Sequence, residues 1–322
     1  MTGLDWTYEY LCEAITILTR NSSSPTSAAD LNPIIKQILT DCPGSSIFGI
    51  GGHSVLLSIT DDIVAKVSLK PGGRHVRHEQ TIFDLLNRTP CPHIVQTFLR
   101  CPDITFMESL KNGTLYERMS MVNTSRPILQ WMQQLSDAAA CLESLGYAHG
   151  DISPRNILFD NNDQLKLVDF DHSLKIGENL DVGYEPYVRS RKRGQPGGDF
   201  GIAGPITEQL ALASTFWFMT RGAELYHELE GPEQVNRLMN CQFPPMDPGD
   251  PIDNIISDCW LGKFQSIADL SRHIREVTMF DETYRARKKE CEQYYQLLKS
   301  LGSQSKLGLT EQSGMFSTVT RV

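Results

Sequence analysis

The string His149-Gly150-Asp151-Ile152-Ser153-Pro154-Arg155-Asn156, followed by Leu165-Lys166-Leu167-Val168-Asp169-Phe170-Asp171, constrains this chain more than any other feature. Between them lie two apolar runs, Ile157-Leu158-Phe159 and Leu165-Lys166-Leu167-Val168, around the polar turn Asp160-Asn161-Asn162-Asp163. Short apolar runs flanking an Asn/Asp cluster predict a hairpin, so a short loop leads out along one strand and back along the next. Asp151 and Asp169 are thereby expected at one cleft. A carboxylate and an amide are the hard oxygen ligands that a divalent cation on phosphate oxygens takes, while a separate carboxylate orients an attacking hydroxyl. Asp169, Asn156 and Asp151 are the candidates for these parts.

With 322 residues the chain has room for a sizeable core and is expected to form one large or two intimately packed lobes. Its formal net charge of −9 argues against general binding to nucleic acid or an anionic membrane. One basic run, Arg189-Ser190-Arg191-Lys192-Arg193, stands against that balance and reads as a solvated loop before a docking or targeting patch. The eight cysteines are scattered, with no C-x-x-C pair and no ligand-like histidine spacing. Reduced core thiols in an intracellular protein are expected, and a zinc site is not. Acidic Asp5, Glu9 and Glu13, with no basic flank before an apolar stretch, give no sign of a signal peptide. The longest apolar run, near Leu210 to Met219, is too short to span a bilayer. A cytoplasmic or nuclear location, with no membrane partner, is the expectation by elimination.

Residues 4–20 read as an amphipathic helix, 21–27 as a linker, and Asn32 to Thr40 as a second short helix. Strand-like runs follow at Ser46 to Ile50, His53 to Thr60 and Ile63 to Leu69. A helix is expected over Val76 to Asn87, then strands around Ile94 to Arg100 and Ile104 to Glu108. Beyond Gly113 the pattern turns helical, with a long periodic stretch from Ile128 to Leu145. Strands first and helices later predict an α+β, two-lobed architecture: a small β-rich lobe over about 45–110 and a larger, mainly helical one over about 111–280. Residues 1–44 form a helical extension in this reading, 281–301 a charged helix, and 302–322 a mobile tail.

Gly49-Ile50-Gly51-Gly52-His53-Ser54 sits between two strand-like runs, where glycines let backbone amides approach phosphates closely. A plain glycine-rich hairpin turn would look the same. In Val64-Ala65-Lys66-Val67 an ammonium is flanked by apolar residues, as expected for a cation aimed at α and β phosphates. Glu79, on the next predicted helix, is placed to hold it by an ion pair. Seen singly, these would be an exposed strand lysine and a surface glutamate.

Together these residues carry a resemblance. The order glycine loop, Val-Ala-Lys, helix Glu, His-x-Asp-x-x-x-x-Asn and Asp-Phe-x resembles the protein kinase fold over roughly residues 45 to 275. More narrowly, the His-Gly-Asp, Asp-Phe-Asp and Glu-Pro-Tyr-x-Arg strings are similar to those of small, divergent kinase-like proteins of filamentous fungi. The resemblance implies ATP and Mg²⁺. By position it makes Lys66 the phosphate-binding lysine, Glu79 its partner, Asp151 the base, and Asn156 and Asp169 the Mg²⁺ ligands. Met107 would guard the back pocket, backbone groups of Glu108 and Leu110 would meet the adenine edge, and Ala65 and Leu158 would sandwich the ring. Ordinary core packing also accounts for Met107, Ala65 and Leu158.

The later landmarks are looser. Gly183-Tyr184-Glu185-Pro186-Tyr187-Val188-Arg189 resembles the end of a kinase activation segment, but Arg191 falls where the family has a glutamate. The arginine that pairs with that glutamate is also missing, because no Arg-Pro string follows Cys259-Trp260. Loss of both partners of a buried pair can be nearly neutral, so this reads as remodelling. Glu208 stands where the family has an aspartate that steadies the catalytic loop, one methylene longer.

Four departures bear on mechanism. Gly150 replaces an arginine, which disfavours control by a phosphorylated loop. Ser153 replaces a lysine near the γ-phosphate, a charge that Arg155 is placed to supply, as arginines there do in tyrosine kinases. Asp171 replaces a glycine and adds a carboxylate beside the metal ligands. The segment from Asp171 to Glu185 is short and offers little platform for a peptide. The leading expectation is a kinase, Ser/Thr type favoured, acting on an unknown protein hydroxyl. The alternatives are a small-molecule kinase like the aminoglycoside and choline phosphotransferases, and a catalytically weak pseudokinase acting as a binding module.

Overall fold

In the computed structural model the described residues are 31–121, 126–192, 194–195 and 197–304, with side chains described through 299. The helix expected over 4–20, the linker after it, Arg193 and the tail beyond 304 lie outside them. The chain divides into two compact units between Ile274 and Arg275.

The first unit begins with a five-stranded antiparallel sheet: β1 (Ser46–Ile50), β2 (Ser54–Ser58), β3 (Ile63–Ser68), β4 (Thr97–Cys101) and β5 (Ile104–Glu108), in the order β1-β2-β3-β5-β4. Its middle strand, β3, is rich in β-branched residues and almost wholly buried, as suits a strand covered on both faces. The covering elements are helices. The first, α1 (Pro33–Asp41), starts where Asn32 accepts from the Ile34 amide at 3.1 Å and proline occupies the first turn. It lays Ile35 and Ile38 onto Val55, Leu57, Ala65, Val67 and Ile104, closing one side of the sheet as an apolar core. On the other side, α2 (Arg74–Leu86) buries Val76, Ile82, Phe83 and Leu86, with Glu79 in the same stripe at 1 % exposure. A carboxylate in an apolar stripe needs a cationic partner, and β3 supplies it.

Strand alternation decides which side chains face α2. Lys66 pairs across to Leu56 and Thr105, and Val64 to Met107, so these share one face. Ala65 pairs with Leu57 and Phe106 and faces α1 instead. The expectation that Ala65 lines the ring site therefore fails: a side chain one position from Lys66 must point to the opposite face, and Val64, two positions away, shares its face.

The larger part of the unit is mainly helical. Helix α3 (Leu115–Ser120) opens on a capping box between Thr114 and Glu117, and α4 (Ile128–Ser144) buries Trp131, Leu135, Ala138 and Leu142. The short pair β6 (Tyr147–Ala148) and β9 (Leu174–Lys175) brackets the predicted hairpin, which forms as β7 (Ile157–Phe159) antiparallel to β8 (Leu165–Leu167). Asp160 Oδ1 accepts from the amides of Asn162 and Gln164 at 2.8 and 2.9 Å, which sets its turn. Helix α5 (Pro205–Arg221) is apolar on nearly every side and buried to match. After it come α6 (Gly231–Met239) and α7 (Pro251–Trp260), where Arg221 bonds Asp253 and Trp260 stacks on Phe243 at 4.7 Å.

The last helix, α8 (Ile267–Gln304), starts earlier than the expected 281. Ser266 accepts from the Asp269 amide at 3.0 Å, and the Glu143 carboxylate takes the amides of Ile267 and Ala268, so the first free N–H groups are satisfied there. It runs across the boundary into the second unit, where its side chains are largely exposed. No helix among the described residues is long and apolar enough to cross a membrane.

Candidate active site

The loop between β6 and β7 is built on His149, which is fully buried. Its Nδ1 accepts from the Asp151 amide at 3.2 Å, so Nε2 carries the proton and donates to the Val168 carbonyl at 3.0 Å. Burial lowers its pKa to about 4, which keeps that neutral tautomer at physiological pH. One imidazole thus joins the residue before Asp169 to Asp151 itself. The Val168 amide also donates to the Asn156 carbonyl at 3.0 Å, closing the base of the hairpin.

Asn156 donates through Nδ2 to both the carbonyl and Oδ2 of Asp151, at 2.9 and 2.8 Å. Its Oδ1 stays outside this pair of bonds. Burial pushes the Asp151 carboxyl up to about 6, and the Asn156 amide pulls the other way. Asp169 sits at φ 67°, a left-handed conformation that costs a non-glycine residue energy. It holds because both neighbours are pinned: Val168 N to Asn156 O at 3.0 Å, and Phe170 N to Glu79 Oε1 at 3.0 Å.

Lys66 completes the arrangement. Its Nζ lies 2.8 Å from Glu79 Oε1 and 2.6 Å from Asp169 Oδ1, with 7 % of the lysine side chain exposed against 41 % for Asp169. Burial alone would lower the lysine pKa, but the Glu79 and Asp169 carboxylates outweigh it and hold the ammonium charged. Lys66 in turn overcomes burial at Asp169 and keeps that carboxyl below its usual range. Five expected residues, Lys66, Glu79, Asp151, Asn156 and Asp169, are therefore brought into one bonded network across both lobes.

Glu208 at the start of α5 reaches the loop despite its extra methylene. Its two oxygens accept from the amides of His149 and Gly150 at 3.0 and 3.1 Å. Burial raises its pKa to about 7 against the pull of those two donors. Gly150 sits at φ 79°, and a Cβ there would lie 2.9 Å from the His172 carbonyl oxygen. The glycine in place of the family's arginine thus relieves a left-handed position under a close backbone approach.

Met107 and Val64 face the cleft side of the sheet, and Leu158 lies half-buried on β7 below it. The Glu108 amide is bonded to the Gln96 carbonyl at 2.9 Å, and its carboxylate pairs with Lys166 at 3.2 Å. Leu110 is buried in the connection between the lobes. Gly49, Gly51 and Gly52 all avoid positive φ, and a Cβ on Gly52 would meet nothing within 4 Å. The turn itself does not demand glycine there. Arg155 lies over the rings of Tyr116 and Tyr184, 5.6 and 5.5 Å from their centres. Among the described residues it forms no ion pair with Asp151.

Two features escaped the reading of the sequence. Val64, not its neighbour Ala65, shares the face of Lys66, and strand periodicity beside that lysine is a sufficient signal for it. His53, His75 and His172 meet in space, which no local spacing reveals. The seven described cysteines are all free thiols, but only Cys259 is buried and Cys241 and Cys291 are exposed, so the expected core placement holds for Cys259 alone.

A model of the protein kinase domain matches residues 61–191, which hold all five networked residues and omit the glycine turn. A probable LRR receptor-like serine/threonine-protein kinase of Arabidopsis thaliana is 28 % identical over 167 residues, covering 48 % of this chain and 18 % of the relative. The CBL-interacting serine/threonine-protein kinase 20 of the same plant is 27 % identical over 205 residues, covering 60 % and 44 %. A tyrosine-protein kinase of Hydra vulgaris is 24 % identical over 238 residues, covering 67 % and 30 %. The chain thus spans less than half the length of each of these relatives. The two-lobed fold, the domain match and these relatives together support a place for this chain in the protein kinase superfamily.

Proposed function

We propose that this chain transfers the γ-phosphoryl group of ATP, bound with Mg²⁺, to a serine or threonine hydroxyl of a protein. The observation that carries this reading is the Lys66 ammonium bonded at once to Glu79 and Asp169, because it couples a phosphate-binding cation to the carboxylate beside the candidate base. The donor set suits Mg²⁺: a carboxylate at Asp169 and an amide oxygen at Asn156, both hard, with the Asp169 side chain 41 % exposed to the cleft. When bound, the ion would neutralise charge on the phosphate oxygens.

The remaining work falls to the protein. Lys66, aligned by Glu79, holds the α and β phosphates, and Val64, Met107 and Leu158 enclose the base. Gly49, Gly51 and Gly52 keep the turn free of side chains, so its backbone can approach the phosphates, while the Gly51 amide is held by the Ser54 carbonyl at 2.8 Å. Asp151 orients the acceptor hydroxyl and takes its proton, while Asn156 fixes the Asp151 side chain through Oδ2. His149 and Glu208 hold the loop beneath.

Ser/Thr acceptors are favoured over tyrosine because Arg155, the one feature that leaned towards tyrosine, is engaged by two aromatic rings. The short segment between Asp171 and Glu185 favours a second reading, a small-molecule acceptor. Purified full-length chain, labelled ATP, Mg²⁺, generic protein acceptors and a metabolite extract separate the two. Label is expected on protein Ser or Thr, and Asp151→Asn should lower it about 100-fold or more with the fold intact. Label confined to metabolites would move the assignment to the second reading, and no transfer by the parent chain would overturn both.

A further inference from the structure

Three histidines from distant parts of the sequence converge beside the candidate active site. His53 lies at the tip of the β1–β2 turn, His75 in the first turn of α2, and His172 directly after Phe170-Asp171. The His53 and His75 rings stack 3.6 Å apart at 3°, and His172 presents its edge to them at 6.0 and 5.4 Å. One ring nitrogen from each lies within 4.8 Å of those of the other two. A second observation points the same way. Asp171 is 9 % exposed in its side chain, and its Oδ1, 3.6 Å from His172 Nε2, has no hydrogen-bond partner. A buried carboxylate oxygen left without a donor is costly unless a cation answers it. An open cleft of about 390 Å³, lined by Arg74, His75, Asp171 and His172 among others, gives an ion a route in.

We propose that His53, His75 and His172 form a binding site for Zn²⁺ or a similar first-row transition ion, with the Asp171 carboxylate beside it as counter-charge. The inference goes beyond phosphoryl transfer and does not depend on it. Imidazole is a borderline donor that suits Zn²⁺, Co²⁺, Ni²⁺ or Cu²⁺, whereas Mg²⁺ prefers the oxygens at Asn156 and Asp169. Tetrahedral Zn²⁺ at about 2.0–2.1 Å from each nitrogen needs nitrogens roughly 3.3 Å apart, so the cluster must tighten by about 1.5 Å at its widest. Stacked rings cannot both aim a lone pair at one ion, so one of them must turn. His53 is exposed on a turn and free to do so. Arg74 Nε donates to His75 Nε2 at 3.3 Å, and this exposed side chain swings away or leaves Nδ1 as the ligand. His78 stays out of the set, because its Nε2 lies 2.6 Å from the Ser173 carbonyl. Occupied, the site ties the glycine turn, α2 and the Asp169 segment to one another.

Full-length protein without a histidine tag, stripped by chelator and dialysed, is titrated with Zn²⁺ against a chromophoric competitor. It is titrated separately with Co²⁺, read by its visible absorption. One equivalent of Zn²⁺ is expected, with tetrahedral-type Co²⁺ bands and no displacement by millimolar Mg²⁺. His53→Ala, on the exposed turn, and His172→Ala should each weaken Zn²⁺ binding more than about tenfold, since even outer-shell losses reach that range. His227→Ala, on the surface and outside the cluster, should change nothing. Circular dichroism and melting verify that each variant is folded. Failure of the folded parent to bind Zn²⁺ would overturn the proposal, as would binding that survives in folded His53→Ala and His172→Ala or vanishes on thiol alkylation.

Discussion

At the scale of the residue, Glu208 shows how a small departure is absorbed. Two backbone amides point at two carboxylate oxygens, so an amide in that place must set an N–H against an N–H. Glu208→Gln should therefore cost about 1–3 kcal/mol at pH 8, read by denaturant unfolding, and should lower transfer with it. The pH dependence follows from the same group. Its folded pKa, about 7, lies above the ordinary 4.5, so the folded state holds the extra proton between those values. Glu208 thus favours folding below about pH 4.5, and this contribution is lost as pH rises to about 7. His149 acts oppositely, since its pKa falls from 6.5 to about 4 and folding is favoured as pH rises through that window. Relative to the parent, Glu208→Gln should gain stability as pH rises from 4.5 to 7. A constant difference across that range would refute the assignment. Gly150 is equally local: any Cβ at φ 79° meets the His172 carbonyl, a constraint invisible in the string His-Gly-Asp.

At the scale of the element, most boundaries were legible. The hairpin at 157–167, the helix over Ile128 to Leu145 and the strands of the sheet follow from periodicity and turn chemistry, which act over a few residues. Helix α8 begins at Ile267 and not at the expected 281 because its start depends on Ser266 and on the distant Glu143 carboxylate. Helix α1 was legible as a helix, but its role was not. Ile35, fully buried, fills the core on the side of the sheet opposite Lys66, so α1 stiffens the strand that carries the lysine. Ile35→Ala should cost about 2–5 kcal/mol by chemical denaturation. A change under about 0.5 kcal/mol would mean that α1 is not part of this core.

At the scale of the whole molecule, one cation joins the lobes. Lys66 on β3 and Asp169 beyond β8 are 103 positions apart in sequence and 2.6 Å apart in space. Lys66→Met and Asp169→Asn should not add: a double-mutant cycle is expected to give a coupling of about 0.5–1 kcal/mol, low in the usual range because Asp169 is 41 % exposed and solvent screens it. Additivity within about 0.3 kcal/mol would show that the contact does not couple the lobes.

The sequence by itself determined the two-lobed class, the hairpin and the candidate catalytic residues, because periodicity, turn chemistry and motif order are written over short stretches of chain. Tertiary structure alone decided that Glu208 reaches its loop and that three histidines meet beside Asp171. Those outcomes depend on strand pairing, helix placement and burial, and such contacts exist only once distant segments have packed.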